Sequence, residues 1–304
     1  MKNIVYICSL FFLFSCTERT TGEKTSGKPL IITTTGMIAD AVSNLVGDSA
    51  QVIALMGPGV DPHLYKATQG DLERLQKADI IIYNGIHLEG KMSEILEKLS
   101  TKKPVIAIGD GISKDKLRVL DKDAMIYDPH IWFDVALWKE AVEAMATTLA
   151  AKYPQLAKTI AANKTSYVSK LDSLHAEVKI QMASIPVKQR VLITAHDAFG
   201  YFGIAYETEV LGLQGISTVS DFGLNNVTNL VNLIVDRKIK SVFTETSVSD
   251  QSIRAVLDGC RQKGYNISIG GSLYSDAMGD AGTPEGTYVG MVRKNVHSIV
   301  DALK

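Results

Sequence analysis

The sequence predicts an α/β protein with two Rossmann-like lobes, each built on a parallel sheet, joined by one long spine helix. Short β-branched runs alternate with amphipathic helical stretches along the chain, which is the pattern of βαβ units. The run "DIIIYNG" at 79–85 is almost continuously apolar, as in a strand buried on both faces of a parallel sheet. A long stretch between the two halves has few helix breakers and sustained apolar spacing, which predicts the joining helix.

The N-terminal lobe is predicted to span residues 30–154 and to open with the strand "LIITTT", followed by a helix that ends at Gly47. Thr68 is a suitable N-cap for a second helix, because its hydroxyl can accept a backbone N–H of the first turn. Hydrophobic residues make up 46% of the 304-residue chain, which is enough for a substantial core. The predicted strands are 30–35, 51–56, 79–85 and 104–112, and the predicted helices are 37–47, 68–78 and 91–100.

The joining helix is predicted to begin after Pro154 and to end before Pro186. About thirty residues at 1.5 Å each give a length of about 45 Å, which is long for a crossover within one lobe. We therefore assign residues 155–185 to a linking helix and residues 186–304 to a C-terminal lobe. The predicted strands of this lobe are 190–194, 239–246 and 265–271, and its predicted helices are 224–238, 249–264 and 287–304.

The first 29 residues are predicted to lie outside the fold. Lys2 is followed by an apolar run at 4–14 that is too short to span a bilayer as a stable helix. The run ends in "LFSC", which resembles a lipobox, so residues 1–16 are predicted to be a lipoprotein signal peptide with Cys16 as the lipidation site. An ordinary cleaved signal with a chance cysteine is the alternative. Residues 17–29 are polar and predict a flexible tether.

Charge and cysteine content narrow the possible functions. The net charge is −1 and no basic cluster is present, so nothing in the sequence indicates a nucleic-acid partner. If Cys8 is removed with the signal peptide and Cys16 is acylated, only Cys260 remains, and no intramolecular disulfide is expected. Cys260 is interpreted as a helix-packing residue without chemistry.

Two Asp-Pro-His turns, at 61–63 and 128–130, present the most informative histidines. Proline fixes its own φ and moves the preceding aspartate toward extended conformations, so each turn holds its histidine at the start of the next element. His196 follows a predicted strand in the same way, and Asp276 follows the strand "YNISIGG". Ligand sites in α/β sheets lie beyond the carboxyl ends of strands, which makes all four side chains candidates for one site.

The four candidates are two from each lobe and lie far apart in sequence, which suits a cleft between lobes better than a local zinc finger. Three imidazoles and one carboxylate form a four-donor set; imidazole suits Zn, Cu, Fe and Ni, and carboxylate extends the choice toward Mn. The chemistry of the side chains alone does not exclude a structural role for each of these three histidines. The other three histidines are interpreted as structural or surface residues, with His87 also open as a loop ligand: His87, His175 and His297.

Five ordered segments resemble the metal-binding receptor proteins of zinc and manganese ABC importers, the TroA-like (cluster A-I) substrate-binding lipoproteins. The resemblance covers about residues 30–304. It implies two lobes joined by one long helix, with the metal between them, and the ligands His63, His130, His196 and Asp276. It also implies an ABC permease and ATPase as partners of a lipid-anchored, extracytoplasmic protein, for which we expect a monomer. The segments are "GPGVDPHLYKAT", "ADIIIYNGIHLEGKM", "DPHIWFDV", "TAHDAFGYF" and "LYSDAMGDAGTPEGTYVGMVRKNV".

The transported metal is predicted to be Zn²⁺, with Mn²⁺ as the close second. Three imidazoles and tetrahedral N₃O geometry favour zinc, whereas a bidentate Asp276 would admit manganese. The third ligand position of the family is His in some members and Glu in several manganese-specific ones; here it is His196. The His-rich loop of many zinc receptors is lacking before His130, which weakens a zinc-only assignment. Because the reference pKa of histidine is about 6.5, affinity is predicted to fall steeply below about pH 6.

Acidic residues near the candidates are hypotheses for orienting the imidazoles: Asp128, Asp134 and Glu245, each with a solvated or capping role as the alternative. Asp61 is predicted to cap its own turn. Metal release is predicted to use movement of the loop after Asp276, with its glycines Gly279, Gly282 and Gly286.

Three other functions are alternatives to the importer receptor. A surface adhesin or host-interaction lipoprotein without a transport role fits the lipid tether equally well. A zinc metalloenzyme is disfavoured, because the chain has no HExxH motif and four protein ligands leave little room for a catalytic water. The protein is therefore predicted not to be an enzyme. A receptor for an organic ligand is disfavoured by the scarcity of Arg and Trp near the cleft motifs.

Overall fold

The computed structural model describes residues 27–219 and 223–304. The predicted signal peptide, the predicted lipidation site Cys16 and the tether up to residue 26 lie outside the described residues. Within the two described ranges, every helix is too short or too polar to cross a lipid bilayer.

The N-terminal half folds as a parallel sheet of short strands with helices between them. Its strands are β1 (Leu30–Thr33), β2 (Gln51–Ala54), β3 (Ile80–Tyr83) and β4 (Val105–Ala107), and its helices are α1 (Gly36–Val46), α2 (Gln69–Lys77) and α3 (Ser93–Ser100). The strand order is β2-β1-β3-β4. The three isoleucines of β3 are fully buried, as the apolar run predicted. The predicted strand 104–112 is shorter, because a 3₁₀ turn follows β4 at Ile108–Gly111.

The middle of the chain contains a hairpin and a helix that the sequence pattern did not predict. Strands β5 (Val119–Asp121) and β6 (Ile126–Tyr127) form an antiparallel hairpin. Helix α4 (Val135–Lys152) follows, and Asp134 caps it by accepting the backbone N–H groups of Ala136 and Leu137. Helix α5 (Ala157–Ala183) comes next.

The C-terminal half repeats the parallel α/β arrangement. Its strands are β7 (Val191–His196), β8 (Glu209–Gln214), β9 (Ser241–Glu245) and β10 (Ser268–Leu273), and its helices are α6 (Gly200–Ala205), α7 (Leu224–Arg237), α8 (Gln251–Gln262) and α9 (Tyr288–Leu303). The parallel pairs are β7–β8 and β9–β10, and β7 lies beside β9. The sequence pattern predicted neither β8 nor α6, and β10 begins three residues later than the predicted strand.

Helix α5 braces the two halves against each other. Its 27 residues give a length of about 40 Å. The helix packs on α1 and α4, and also on α9 of the C-terminal half. Its buried side chains recur every three, four or seven residues and belong to one apolar core that draws on both halves: Ile160, Tyr167, Leu171, Leu174, Val178 and Met182. A shared core of this kind opposes large rigid-body motion of one half against the other.

Lys103 closes the C-terminal end of α2. Its Nζ donates to the carbonyl oxygens of Leu75, Gln76 and Ala78, at 3.0, 2.6 and 2.6 Å. These carbonyls have no partner within the helix, and a cation at a helix C-terminus is favourable. We expect Lys103→Met to lower the free energy of unfolding by about 1 kcal/mol in urea denaturation. Lys102, the exposed neighbour, provides the control: Lys102→Met should change the free energy of unfolding by less than about 0.5 kcal/mol. Equal effects of the two substitutions would contradict the capping role.

Candidate metal centre

The first Asp-Pro-His turn follows β2 and is fixed from both halves of the protein. Asp61 Oδ1 accepts the backbone N–H of His63 at 2.8 Å, which confirms the predicted capping of the turn. Asp61 Oδ2 also accepts the hydroxyl of Thr218, which lies in the C-terminal half, at 2.5 Å. His63 is thereby held at the cleft between the halves, with 2% of its surface exposed.

The second turn follows β6 and places His130 against a buried carboxylate. Asp128 Oδ1 accepts the backbone N–H of His130 at 3.0 Å and lies 2.7 Å from its ring Nδ1. Asn84, directly after β3, donates from Nδ2 to the carbonyl of Pro129 at 3.0 Å and anchors the turn to the sheet. A hydrogen bond at Nδ1 fixes the tautomer that leaves Nε2 as an electron-pair donor. Of the two acids proposed near this turn, Asp128 takes the orienting role, whereas Asp134 caps α4.

The C-terminal half supplies His196 as the last residue of β7. Glu245, the last residue of the neighbouring strand β9, accepts the backbone N–H of His196 through Oε1 at 2.9 Å. Its other oxygen, Oε2, lies 2.5 Å from His196 Nδ1. Glu245 therefore contacts both the backbone and the ring of His196 with separate oxygens, whereas Asp128 contacts both parts of His130 with one oxygen.

Asp276 lies three residues beyond β10 and is positioned through its neighbours. Its backbone N–H donates to Ser247 Oγ at 3.4 Å. The carbonyl of Ser275 accepts the indole N–H of Trp132, which comes from the other half, at 3.0 Å. Tyr288 in turn donates its hydroxyl to the carbonyl of Trp132 at 2.7 Å. The loop that carries Asp276 is thus tied to the turn that carries His130.

The structure brings all four predicted ligands together: His63, His130, His196 and Asp276 each offer one donor atom, and these atoms lie within 4.8 Å of one another. His63 Nε2 and His130 Nε2 are 3.2 Å apart. Asp276 Oδ1 lies 3.4 Å from His130 Nε2, and Asp276 Oδ2 lies 3.3 Å from His196 Nε2 and 3.8 Å from His63 Nε2. A tetrahedral ion with bonds of 2.0–2.1 Å has edges of about 3.3–3.4 Å. The cluster therefore has the size and the donors of a site for a divalent transition metal.

The other three histidines lie outside this cluster. His87 is exposed in a left-handed conformation, with φ at 63°. His175 Nδ1 lies 3.2 Å from the hydroxyl of Tyr206, and His297 pairs with Asp301 one helical turn away. Their placement agrees with the structural or surface roles interpreted from the sequence.

His63 and His130 differ in their preferred charge. Burial is the main cause that lowers the pKa of His63 to about 4, against the opposing charge of Asp276. Burial disfavours a charge on His130 as well, but Asp128 and Asp276 outweigh it and raise the pKa to about 9. At neutral pH, His63 is therefore neutral and His130 carries a proton in the metal-free protein.

His196 and Asp276 are held as an ion pair. Burial disfavours the charged form of His196, but the charges of Glu245 and Asp276 raise its pKa well above the ordinary value. Burial would likewise raise the pKa of Asp276, yet His196 and His130 hold it well below its usual range. The raised pKa values of His130 and His196 thus favour protonated rings around the position that a dication would take. Proton and metal compete for the same donors.

The loop after Asp276 is braced by its own backbone. Gly279 donates its N–H to the carbonyl of Glu285 at 2.9 Å, and a Cβ at Gly279 would lie 2.7 Å from Glu285 Cβ. Gly282 has φ at 86°, a conformation that glycine adopts without strain. Gly279 thus allows close packing of the loop. Of the three loop glycines, only Gly282 adopts a conformation that favours glycine. Movement of this loop on metal release stays a prediction.

A family model described as ZnuA, zinc-uptake complex component A, periplasmic, matches residues 31–302 of this chain. The manganese-binding lipoprotein MntA of Bacillus subtilis is 46% identical over 294 residues, which cover 97% of this chain and 96% of that protein. The zinc-binding protein TroA of Treponema pallidum is 47% identical over 277 residues, which cover 91% of this chain and 89% of that protein.

A solved structure supports the same relationship. The periplasmic zinc-binding protein TroA from Treponema pallidum superposes with a TM-score of 0.88 at 46% identity, covering 91% of this chain and 99% of that chain. This chain therefore has the same fold as that protein, with the parallel sheets and the long helix that the sequence predicted.

Proposed function

Because this chain belongs to the ZnuA family of zinc-uptake components, we propose that it is the extracytoplasmic receptor that captures a divalent transition metal and delivers it to an ABC importer. One observation carries this proposal: four buried donor groups, two from each half of the protein, lie within 4.8 Å of one another in the cleft. His63, His130, His196 and Asp276 act as the ligands.

Zn²⁺ is the favoured cargo and Mn²⁺ the close second. The donor set is N₃O with spacings near those of a tetrahedral zinc site, and a site with three imidazoles binds zinc more tightly than manganese. Both oxygens of Asp276 face imidazole nitrogens, which allows bidentate binding and a higher coordination number for manganese. One relative is named for manganese and the other for zinc, so the family accommodates both metals.

The same family membership supports a proposal for the anchor and the partners. We propose that Cys16 is lipidated and holds the protein at the extracytoplasmic face of a membrane through residues 17–29. A permease and an ATPase receive the metal from a monomeric receptor. The relatives reported above are named for binding manganese and zinc, and the family model is described as a zinc-uptake component. We propose that this chain is likewise a binding protein and not an enzyme, since its four donors would occupy all positions of a tetrahedral metal.

Metal content is the direct test. The soluble chain that starts after Cys16, purified from metal-replete medium, should contain about one equivalent of zinc or manganese by elemental mass spectrometry. The variant His63→Ala/Asp276→Ala should contain almost none. Absence of stoichiometric metal from the unmodified chain would refute the receptor function.

An adhesin without a transport role is separated from the receptor by metal uptake in cells. Deletion of the gene should reduce accumulation of radiolabelled zinc or manganese at limiting concentrations, and the intact gene should restore it. Restoration by the His63→Ala/Asp276→Ala gene would show that uptake does not use this site. Unchanged uptake in the deletion strain would favour the adhesin.

A further inference from the structure

We propose that Arg118 is a positioning residue for metal binding, which ties the orientation of His130 to that of His196 across the cleft. The inference rests on the proposed function of the four-residue site. Arg118 Nη1 lies 2.8 Å from Asp128 Oδ2, in the N-terminal half, and Arg118 Nη2 lies 3.0 Å from Asp197 Oδ2, in the C-terminal half. One guanidinium therefore bridges carboxylates that belong to the two sides of the metal site.

On the N-terminal side, Arg118 completes the environment of the acid that orients His130. Asp128 is fully buried and uses Oδ1 for the backbone and the ring of His130. Its other oxygen, Oδ2, accepts from Arg118. Leaving one oxygen of a buried carboxylate without a hydrogen-bond partner costs free energy, and the carboxylate would shift to regain a partner. Arg118 therefore keeps Asp128 aligned with His130 Nδ1.

On the C-terminal side, the bridge ends on the residue that follows His196. The backbone of Asp197 is fixed, because its N–H donates to the carbonyl of Gln214 at 3.2 Å. Tyr201 strengthens the junction: its hydroxyl accepts the N–H of Arg118 at 3.0 Å and donates to the carbonyl of Asp128 at 3.0 Å. The segment 118–128 is thus docked on α6 by both side-chain and backbone contacts.

Gly200 provides the space for the guanidinium. The three atoms nearest to a Cβ built at Gly200 are Nη1, Cζ and Nε of Arg118, and all three lie too close for a real contact. Gly200 is the first residue of α6, and its φ is not in the left-handed region. An alanine there displaces the guanidinium of Arg118 without removing any charged group from the chain. Gly200 and Arg118 therefore offer two independent ways to break the same bridge.

The test compares Zn²⁺ affinity and the rate of Zn²⁺ release to excess chelator in the soluble chain. We expect Arg118→Met to weaken affinity about 10- to 100-fold and to accelerate release, as for other residues that orient metal ligands. Gly200→Ala should act in the same direction. Arg118→Lys should recover only part of the loss, because a lysine is a point charge that cannot hold two carboxylates in a planar fork.

The decisive readout is the combination Arg118→Met/Gly200→Ala, which should bind Zn²⁺ as Arg118→Met alone does, because the alanine then has no guanidinium to displace. Arg237→Met is the matched control. Arg237 pairs with both oxygens of Glu209 at 2.7 and 2.6 Å, at the opposite end of β8 from His196, and its removal should leave affinity unchanged.

Three results would overturn the inference. Arg118→Met and Gly200→Ala could both bind and release Zn²⁺ like the unmodified chain. Their effects on affinity could multiply in the combined variant. Arg118→Met could lower the metal-free melting temperature without changing release, which indicates a structural role alone. If Arg118→Met fails to fold, Gly200→Ala and Arg118→Lys decide the question. Absence of metal from the unmodified chain is a separate outcome, which refutes the proposed function itself.

Discussion

Replacing Asp276 with alanine is expected to lower the affinity for Zn²⁺ by about 100-fold or more. Structural zinc sites with four ligands bind with roughly 10–16 kcal/mol, so one ligand corresponds to about 3 kcal/mol. Asp276 is the only anion among the four donors, and its two oxygens lie 3.3–3.8 Å from the three imidazole nitrogens. Its loss removes both a bond and the charge that offsets the dication.

The measurement is competition against a chromogenic zinc chelator of known affinity. Asp301→Ala is the matched control, because Asp301 also pairs with a histidine, His297 at 3.1 Å, but on the exposed face of α9. The control should bind zinc like the unmodified chain. Wild-type affinity in Asp276→Ala would mean that zinc is not held by the predicted residues, even if the protein contains one equivalent.

The fold was largely predictable because the strands and most helices follow simple periodicities. The apolar run of β3 and the β-branched start of β1 indicated buried parallel strands. Helix α4 was missed because it is rich in alanine and buried on several sides, so its pattern lacks a clear polar face. Strand β8 was missed for the opposite reason: "EVLGLQ" is short, mixed in polarity and only partly buried, and its position depends on pairing with β7.

The ligand candidates were predictable because local chemistry marks them. A proline before each of two histidines and a strand end before His196 are visible in the sequence. The acids that orient the ligands are harder to predict: Asp128 and Asp134 both lie within four residues of His130 in the chain, and only the start of α4 separates their roles. Arg118 carries no local signal at all, since its partner Asp197 is 79 residues away and meets it only through the packing of the two halves.

Affinity for Zn²⁺ is expected to rise with pH across the neutral range, and not only near the reference pKa of histidine. The metal-free protein holds a proton on His130, whose pKa is about 9, and on His196, whose pKa is also raised. The metal-bound form cannot hold these protons at the coordinating nitrogens, so acid favours the metal-free form. His63, with a pKa of about 4, adds no proton to this competition at neutral pH.

The expected size follows from proton linkage. Each proton displaced costs about tenfold in affinity per pH unit, so two protons predict a loss of about 100-fold per unit between about pH 8 and about pH 6. Isothermal titration calorimetry at pH 7 in buffers of different ionisation enthalpy counts the released protons directly, and about two per metal are expected. Equal affinities at both ends of this range would contradict the assignment of the histidines as ligands.

Asp128→Asn identifies which histidine releases a proton. The amide preserves the shape of the side chain but removes the charge that, with Asp276, raises the pKa of His130. The number of protons released at pH 7 should therefore fall from about two to about one, although affinity also declines because Nδ1 loses its charged partner. Asp134→Asn is the matched control: Asp134 is also close to His130 in sequence but caps α4, so its substitution should leave the proton count unchanged. An unchanged count of about two in Asp128→Asn would contradict the role of Asp128 in protonating His130. The proton on His130 would then have to depend on Asp276, the other carboxylate that raises its pKa.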